Sequence, residues 1–458
     1  MKDLNLDDYK GKRFHFIGVG GCSMNGLAAI MHEKGYLVTG SDRTASTNTK
    51  RLIDKGIEIH IGHDAENVQG ADVVVYSAAI KKENPELAYA LGHNILCLER
   101  AGLLGELSKE FKQVIGVAGC HGKTTITSML ALILLKSGVD ATMHVGGEVA
   151  FIEGGTHVGS NDTLVTEACE YVESFLELRP TIAVVSNIDD DHLDYFRDIE
   201  HIYSAFSKFI GLLPQDGLLV ANSDDELVRR LIGETGCAVA TYGSKDADWV
   251  PVNIEFSAEG NVSFDCIYKG SNAGCVSLKI PGEHNVYNAI AAIAVAERLG
   301  VSVEQSAAAL TDYTLTKRRF EYYGTVDDVD IFHDYAHHPN EIIALLAAAS
   351  KRKHNRIWCV FQCNSYTRAV TLFDKYIHAF GDADYVLVPD IYPGREVDTG
   401  RIHARDLVAG IQAEHGNCVY LPAFDDIDKH LKAHWQPGDM VVALGSGDVF
   451  EKIKVLLK

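Results

Sequence analysis

Short apolar runs alternate along this chain with longer stretches whose apolar residues recur at helical spacing. The opening segment KRFHFI reads as a strand, the glycine-rich GVGGCS as a turn, NGLAAIMHEKG as a helix and LVTGSD as a second strand. ADVVVYSAAI supplies another strand and AGLLGELSKEF a helix, after which QVIGVAG begins a new strand at about residue 112. MLALILL is apolar on all sides and predicts a buried helix. DTLVT, TIAVVSNI and GLLVAN continue the strands, and an alanine-rich helix spans Asn285 to Leu299. VDIFHDYAHHPNE, IWCVFQ, YVLVPD and MVVALGS repeat the pattern to the end. Strands of this kind, alternating with helices, predict parallel sheets with crossover connections, an α/β fold. The breaks in the pattern fall near residues 108 and 323, so three α/β domains are expected, 1–108, 109–322 and 323–458.

Composition narrows the class. With 458 residues and 47% hydrophobic content the chain is too long for one core and too apolar for disorder. A net charge of -21 argues against a nucleic-acid binder, which needs clustered cations, although a local basic pocket for anions stays possible. MKDLNLDDYKGKR lacks an apolar signal core and no run approaches a membrane span, so a cytoplasmic protein without membrane insertion is expected. The ten cysteines show no C-x-x-C pair, which favours reduced thiols.

The chemistry is carried first by GVAGCHGKTTITSML, Gly116 to Leu130. A loop of backbone N–H groups at a helix N-terminus binds phosphate because its unpaired donors and the helix dipole both favour negative charge. Gly119 and Gly122 let the backbone curl, Lys123 can reach β- and γ-phosphates, and the Thr124 hydroxyl can ligate Mg²⁺. The loop departs from the common pattern, since five residues separate Gly116 from Gly122 and His121 precedes Gly-Lys-Thr. Mg²⁺ calls for carboxylates at nearby strand ends. Glu167, with Glu170 beyond it, follows one strand; Asp190, Asp191 and His192 follow the next.

GCHGKTT, EACEY, NIDDDH, GEHNVYN, KRRFE and DYAHHPNE occur in the order and spacing of the Mur ligases, which the chain resembles along essentially its whole length. Those ATP-dependent enzymes add amino acids to the peptidoglycan precursor. The resemblance implies a Rossmann-like first domain for a UDP-sugar, a central P-loop ATPase-like domain, and a Rossmann-like last domain for the amino acid. In the branch that the first domain resembles, ATP phosphorylates the muramoyl carboxylate of UDP-N-acetylmuramate, and the amine of L-alanine then displaces phosphate.

By that resemblance Gly119, Cys120, His121, Gly122, Lys123, Thr124 and Thr125 cradle ATP. Thr124, Glu167 and His192 hold Mg²⁺, or Mn²⁺ in its place. Asn285 and Asn288 lie at the adenine, Arg319 at the phosphates and Asp334 near the ribose or phosphate. His337 or His338 contacts the incoming amino acid, whose carboxylate Arg368 clamps. Lys123, Glu167, His192, His337 and Arg368 form the implied catalytic set, and a monomer or homodimer is expected.

Gly18, Gly20 and Gly21, with Ser23 and with Asp42 after the next strand, are implied to receive the UDP-sugar diphosphate. They also resemble a dinucleotide fingerprint, with Ser23 in place of its third glycine, so NAD is the alternative for this domain. FQCNSYTR carries Cys363 and Asn364 where the family has Pro and His, beside the expected amino-acid pocket. Cys120, Cys169 and Cys363 all fall on expected site loops, where a thiol can be thiolate-prone and oxidisable. Two rival readings remain at this level. One is a ligase that recycles an intact peptide onto the same sugar nucleotide; the other is a non-catalytic paralogue that binds nucleotide or precursor.

Overall fold

The computed structural model describes residues 5–152, 154–394 and 396–457. The chain falls into two compact units, one formed by the chain up to Asp189 with Glu200–Val250 and Ile290–Ala309, the other by Asp190–Ile199, Pro251–Ala289 and Leu310 onward.

The first unit holds two sheets. Strands β1 (Arg13–Ile17), β2 (Leu37–Asp42), β3 (Glu58–Ile61), β4 (Val73–Tyr76) and β5 (Leu96–Glu99) pair in the order β3-β2-β1-β4-β5, every pair parallel. The second sheet is built from β6 (Gln113–Ala118), β7 (Thr142–Val149), β8 (Gly154–His157), β9 (Thr163–Glu167), β10 (Ile182–Val185), β11 (Leu218–Asn222) and β12 (Ala238–Tyr242). Its order is β12-β11-β10-β6-β9-β7-β8, parallel except where β8 turns back on β7. All four residues of β10, and β6 from its second residue on, are buried, as expected of strands covered on both faces. The helix Lys123–Lys136 packs against β6, β7 and β9 and is buried over Thr125–Leu134, which explains why its sequence is apolar on every side. The helix Cys22–Glu33 lies against β7 and β8 and so joins the two sheets.

The chain passes from the first unit to the second along β13 (Trp249–Phe256). In the second unit β14 (Val262–Tyr268) and β15 (Ser271–Leu278) form an antiparallel hairpin with a bulge after Cys266. The remaining strands are β16 (Glu321–Val326), β17 (Val329–Asp334), β18 (Ile357–Phe361), β19 (Tyr385–Val388), β20 (Cys418–Tyr420) and β21 (Met440–Leu444). They form a sheet of order β16-β17-β21-β18-β19-β20, parallel except for the β16–β17 hairpin. Parallel strands end on one edge, so the loops after β1, β6, β9, β10 and β17 are the ones placed to meet ligands. Among the described residues no helix is long and apolar enough to cross a membrane.

Candidate active site

The loop after β6 is shaped by its neighbour after β10. Gly119 has φ +140°, and a Cβ there would run into the Ser186 hydroxyl. The Ser186 Oγ and Asn187 Nδ2 both donate to the His121 carbonyl, at 2.8 and 3.0 Å, and the His121 amide donates to Asn187 Oδ1 at 2.8 Å. His121 Nε2 lies 2.9 Å from Asp189 Oδ2. Gly122, at φ +87°, starts the helix Lys123–Lys136 with no side-chain cap. The first-turn N–H groups, which have no intrahelical acceptor, thus open toward the ligand edge, as a phosphate site requires. Thr124 is half-buried in that turn and Thr125 is buried.

Cys120 is part of this brace. Its sulfur accepts from the Asp189 amide at 3.2 Å and donates to the Asp189 carbonyl at 3.4 Å. Burial raises the Cys169 thiol to about 11 and the Cys363 thiol to about 12. Desolvation disfavours the charged form, so burial works against thiolate character at both.

Lys123 curls back onto its own loop, donating to the Gly119 carbonyl at 2.5 Å and the Cys120 carbonyl at 3.2 Å. Its ammonium also meets both oxygens of Glu170, at 2.9 and 2.8 Å. Burial works against the lysine charge, but Glu170 outweighs it and keeps Lys123 above its ordinary value. Glu170 is 1% exposed, and the turn after it puts Val172 and Glu173 in the left-handed region, at φ 50° and 55°. A β-branched residue there is strained by about 1–3 kcal/mol. Glu167, by contrast, accepts the Gly146 N–H at 2.6 Å and does not reach for the lysine in that role. The carboxylate that holds the loop lysine is thus the second of the EACEY pair. No local signal distinguishes the two; the pairing of β9 beside β6 brings both near the loop, and their partners, Lys123 for Glu170 and the Gly146 N–H for Glu167, tell them apart.

In the first sheet, the glycine turn closes with Gly18 N and Val19 N donating to the Ser41 carbonyl and Gly21 N to Gly18 O. Asp42 accepts the Gly20 N–H at 2.8 Å, and a Cβ on Gly20 would sit 2.8 Å from that carboxylate. Asp42 therefore braces the turn. Ser23 lies 2.8 Å from His144 Nε2 and accepts from Arg100 at 3.1 Å. Burial, with Arg100 nearby, lowers His144 to about 3, so this imidazole is neutral. Neither His144 nor Arg100 was legible as a site neighbour, since each lies far along the chain from Ser23.

In the second unit Asn285 and Asn288 are buried, Asn288 donating to Asn285 Oδ1 at 3.1 Å and Asn285 to the Pro281 carbonyl at 2.7 Å. Asp334 accepts from the Phe320 and Ala336 amides, at 2.7 and 2.6 Å, and burial raises it to about 6. It holds the backbone beside Arg319, whose guanidinium lies 5.5 Å from the Tyr335 ring centroid. Arg319 lines a cleft of about 630 Å³ with Lys279, Lys317, Phe320 and Arg352, a volume suited to a small-molecule ligand.

The two histidines of DYAHHPNE part company. His338 is wholly buried and caps the helix Pro339–Ser350, its Nδ1 accepting from Asn340 N and its Nε2 donating to the Asp190 carbonyl at 3.1 Å. His337 has Nδ1 3.0 Å from the Tyr335 carbonyl, which leaves Nε2 as the acceptor, and burial lowers it to about 4. His192 has φ 53° and turns the chain just after Asp191. Asp191 binds Arg368 at 2.6 Å; burial works to raise its carboxyl, but His192 and Arg368 hold it well below the usual carboxylate range. Cys363 belongs to the core of the last sheet and Asn364 donates to Ser446 Oγ at 2.6 Å. Neither lines the small cavity at Arg368, so the FQCNSYTR departure leaves that cavity's wall to Ser365, Thr367 and Arg368.

Three family models match this chain: Mur ligase family, catalytic domain, over residues 13–112; Mur ligase middle domain, over 117–296; and Mur ligase, glutamate ligase domain, over 318–447. The UDP-N-acetylmuramate–L-alanine ligase of Acetivibrio thermocellus is 47% identical over 100% of this chain and 98% of its own. That of Clostridium tetani is 45% identical over 98% of each. Among solved structures, a UDP-N-acetylmuramate-alanine ligase from Thermotoga maritima superposes with TM-score 0.81 at 25% identity, over 97% of this chain and 98% of that one. A murein peptide ligase from Psychrobacter arcticus follows with TM-score 0.72 at 27% identity, over 98% of each.

Proposed function

The chain belongs to the Mur ligase family, and from that premise we propose that it joins L-alanine to the muramoyl carboxylate of UDP-N-acetylmuramate, with ATP converted to ADP and phosphate. It is an ATP-dependent ligase that forms an amide bond. The observation that carries the choice of substrate is end-to-end identity with relatives named for that reaction. The three expected domains, 1–108, 109–322 and 323–458, and a cytoplasmic location are part of the same reading.

A carboxylate resists attack by an amine because oxide is a poor leaving group, and transfer of the ATP γ-phosphoryl group to it supplies a better one. The protein's part is positioning and neutralisation of charge. The loop amides from Gly119 to Thr125 cradle the phosphates, and Lys123 exchanges Glu170 for phosphate oxygens. Thr124 and Glu167 offer the hard oxygen donors that suit Mg²⁺, and His192 a nitrogen that Mn²⁺ accepts more readily. The divalent ion, when bound, neutralises charge on the transferring phosphoryl group.

Asn285 and Asn288 present a buried amide pair for the adenine, while Arg319 faces the phosphates and Asp334 sets its backbone. Gly18, Gly20, Gly21 and Ser23 receive the sugar diphosphate on the turn that Asp42 braces. In the amino-acid site Arg368 takes the α-carboxylate, and the neutral His337 Nε2 accepts a hydrogen bond from the amine. His338 acts behind it, as the cap that holds this loop.

ADP release with Mg-ATP, UDP-N-acetylmuramate and a panel of amine acceptors tests the reading, with products identified by mass. Turnover with L-alanine is expected. Turnover only with an intact peptide assigns the recycling reaction, and ATP binding without turnover assigns a non-catalytic role.

A further inference from the structure

The segment Asp190–Asp194 and the helices Tyr366–Thr371 and Phe373–Tyr376 bring opposite charges together in two adjacent pairs. Arg368 Nη2 meets Asp191 Oδ1 at 2.6 Å, and Lys375 Nζ meets Asp190 Oδ2 at 2.9 Å. Beside the first pair lies a cavity of about 30 Å³ lined by Asp190, Asp191, His192, Asp194, Thr367 and Arg368, among others; Lys375 stands outside that lining and reaches it through Asp190. The cavity has room for about two waters. An α-amino acid is larger than this space, so its entry calls for side chains of the wall to move.

The pairs differ in how readily they open. The Arg368 and Asp191 side chains are 17% and 6% exposed, whereas those of Lys375 and Asp190 are 42% and 34% exposed. A half-exposed lysine–carboxylate pair contributes little and exchanges partners easily; a buried one does not. Arg368 Nε, moreover, is a buried donor with no hydrogen-bond partner among the described residues. Such a donor is costly unless a ligand completes it. A free amino acid is a zwitterion: Arg368 in this wall offers a cation for its carboxylate, Lys375 a second one from its place on Asp190, and the acids Asp190, Asp191 and Asp194 suit its ammonium.

On the reading that this is the amino-acid site of the proposed ligase, we propose that Lys375 is a second recognition residue for the α-carboxylate. Asp190 holds it in place until the substrate carboxylate takes over, with Arg368 Nε as the companion donor. Arg368 anchors the site through Asp191, and Lys375 is the cation that changes partner.

The test compares L-alanine with L-alaninamide, which lacks the anionic carboxylate, in the full-length enzyme and in Lys375→Ala and Lys375→Arg. For Lys375→Ala, kcat/KM for L-alanine is expected to fall roughly tenfold or more, as for loss of a charged hydrogen bond. The amide should change less than twofold, KM for ATP and the sugar nucleotide should hold, and Lys375→Arg should restore most of the loss. Equal losses for acid and amide, or no loss with L-alanine, overturn the assignment. If the wild-type enzyme uses another amino acid, the substrate reading fails while the same comparison with that acid and its amide decides Lys375. If no amine acceptor is used at all, both fall.

Discussion

Glu170→Gln isolates the charge that holds the loop lysine. The carboxylate lies 2.8 Å from Lys123 Nζ at its nearer oxygen. At an effective dielectric of about 20, that separation corresponds to roughly 6 kcal/mol of gross attraction. Burial of both groups opposes it, and removing one partner of a buried pair costs about 3–5 kcal/mol net. Glutamine keeps an acceptor oxygen, and the Gly119 and Cys120 carbonyls remain, so a loss near the lower end, about 3 kcal/mol, is expected. Each kcal/mol lowers Tm by about 2–4 °C in a domain of 150–250 residues, so the relevant calorimetric transition should fall by about 6–12 °C. Nucleotide should reverse much of this, because phosphate replaces the missing anion. The rise in Tm on adding Mg-ATP is then larger in the variant than in the wild type, and its nucleotide affinity is no weaker. A variant that melts with the wild type, or that loses nucleotide binding more than tenfold, would refute the account of Glu170 as a placeholder for phosphate.

Acid should destabilise the protein well before its carboxylates titrate. His15, His144 and His333 are buried and lowered to about 4, 3 and 4, so the unfolded chain binds protons that the folded one refuses as pH falls from 6.5 toward 4. Their stability is complete above pH 6.5; at pH 5 each has lost about 2 kcal/mol, offset by about 1 kcal/mol from Asp334, whose raised value gives the opposite sign. His337, lowered to about 4 as well, adds in the same direction, so urea titrations at pH 7.5 and 5 should differ by at least about 5 kcal/mol, and a flat profile would contradict the burial. Gly119→Ala places a Cβ against Ser186 in a left-handed conformation, so isothermal titration should find ATP binding weakened at least tenfold; unchanged binding would show that the loop can re-form around it. Iodoacetamide at pH 7.5 should label the exposed Cys275 first, and Cys169 and Cys363 only after denaturation; peptide mapping that found Cys363 modified in the native enzyme would reject the inert reading.

Much of the candidate site is local and so was readable along the chain. The strand QVIGVAG, the glycines and the helix from Lys123 lie within one continuous stretch, and a phosphate loop needs nothing further to be recognised. The strands around it were likewise legible, because a buried parallel strand is apolar throughout. What the sequence could not display is which distant loops face one another. Glu170 meets Lys123 because β9 pairs beside β6 and the turn after β9 brings it back, while Glu167 is taken by the Gly146 N–H; His144 meets Ser23 because the helix Cys22–Glu33 packs on β7. In DYAHHPNE the two adjacent histidines are chemically identical in sequence, and only the start of the helix at Pro339 makes one a cap and leaves the other beside Tyr335. The Lys375–Asp190 pair spans 185 positions and has no motif at all. Sequence by itself determined the elements and the phosphate loop, since these depend on neighbours a few residues apart. Strand order and helix docking decided the partners of each charge, since electrostatic pairing acts through space and follows the packing of the sheets.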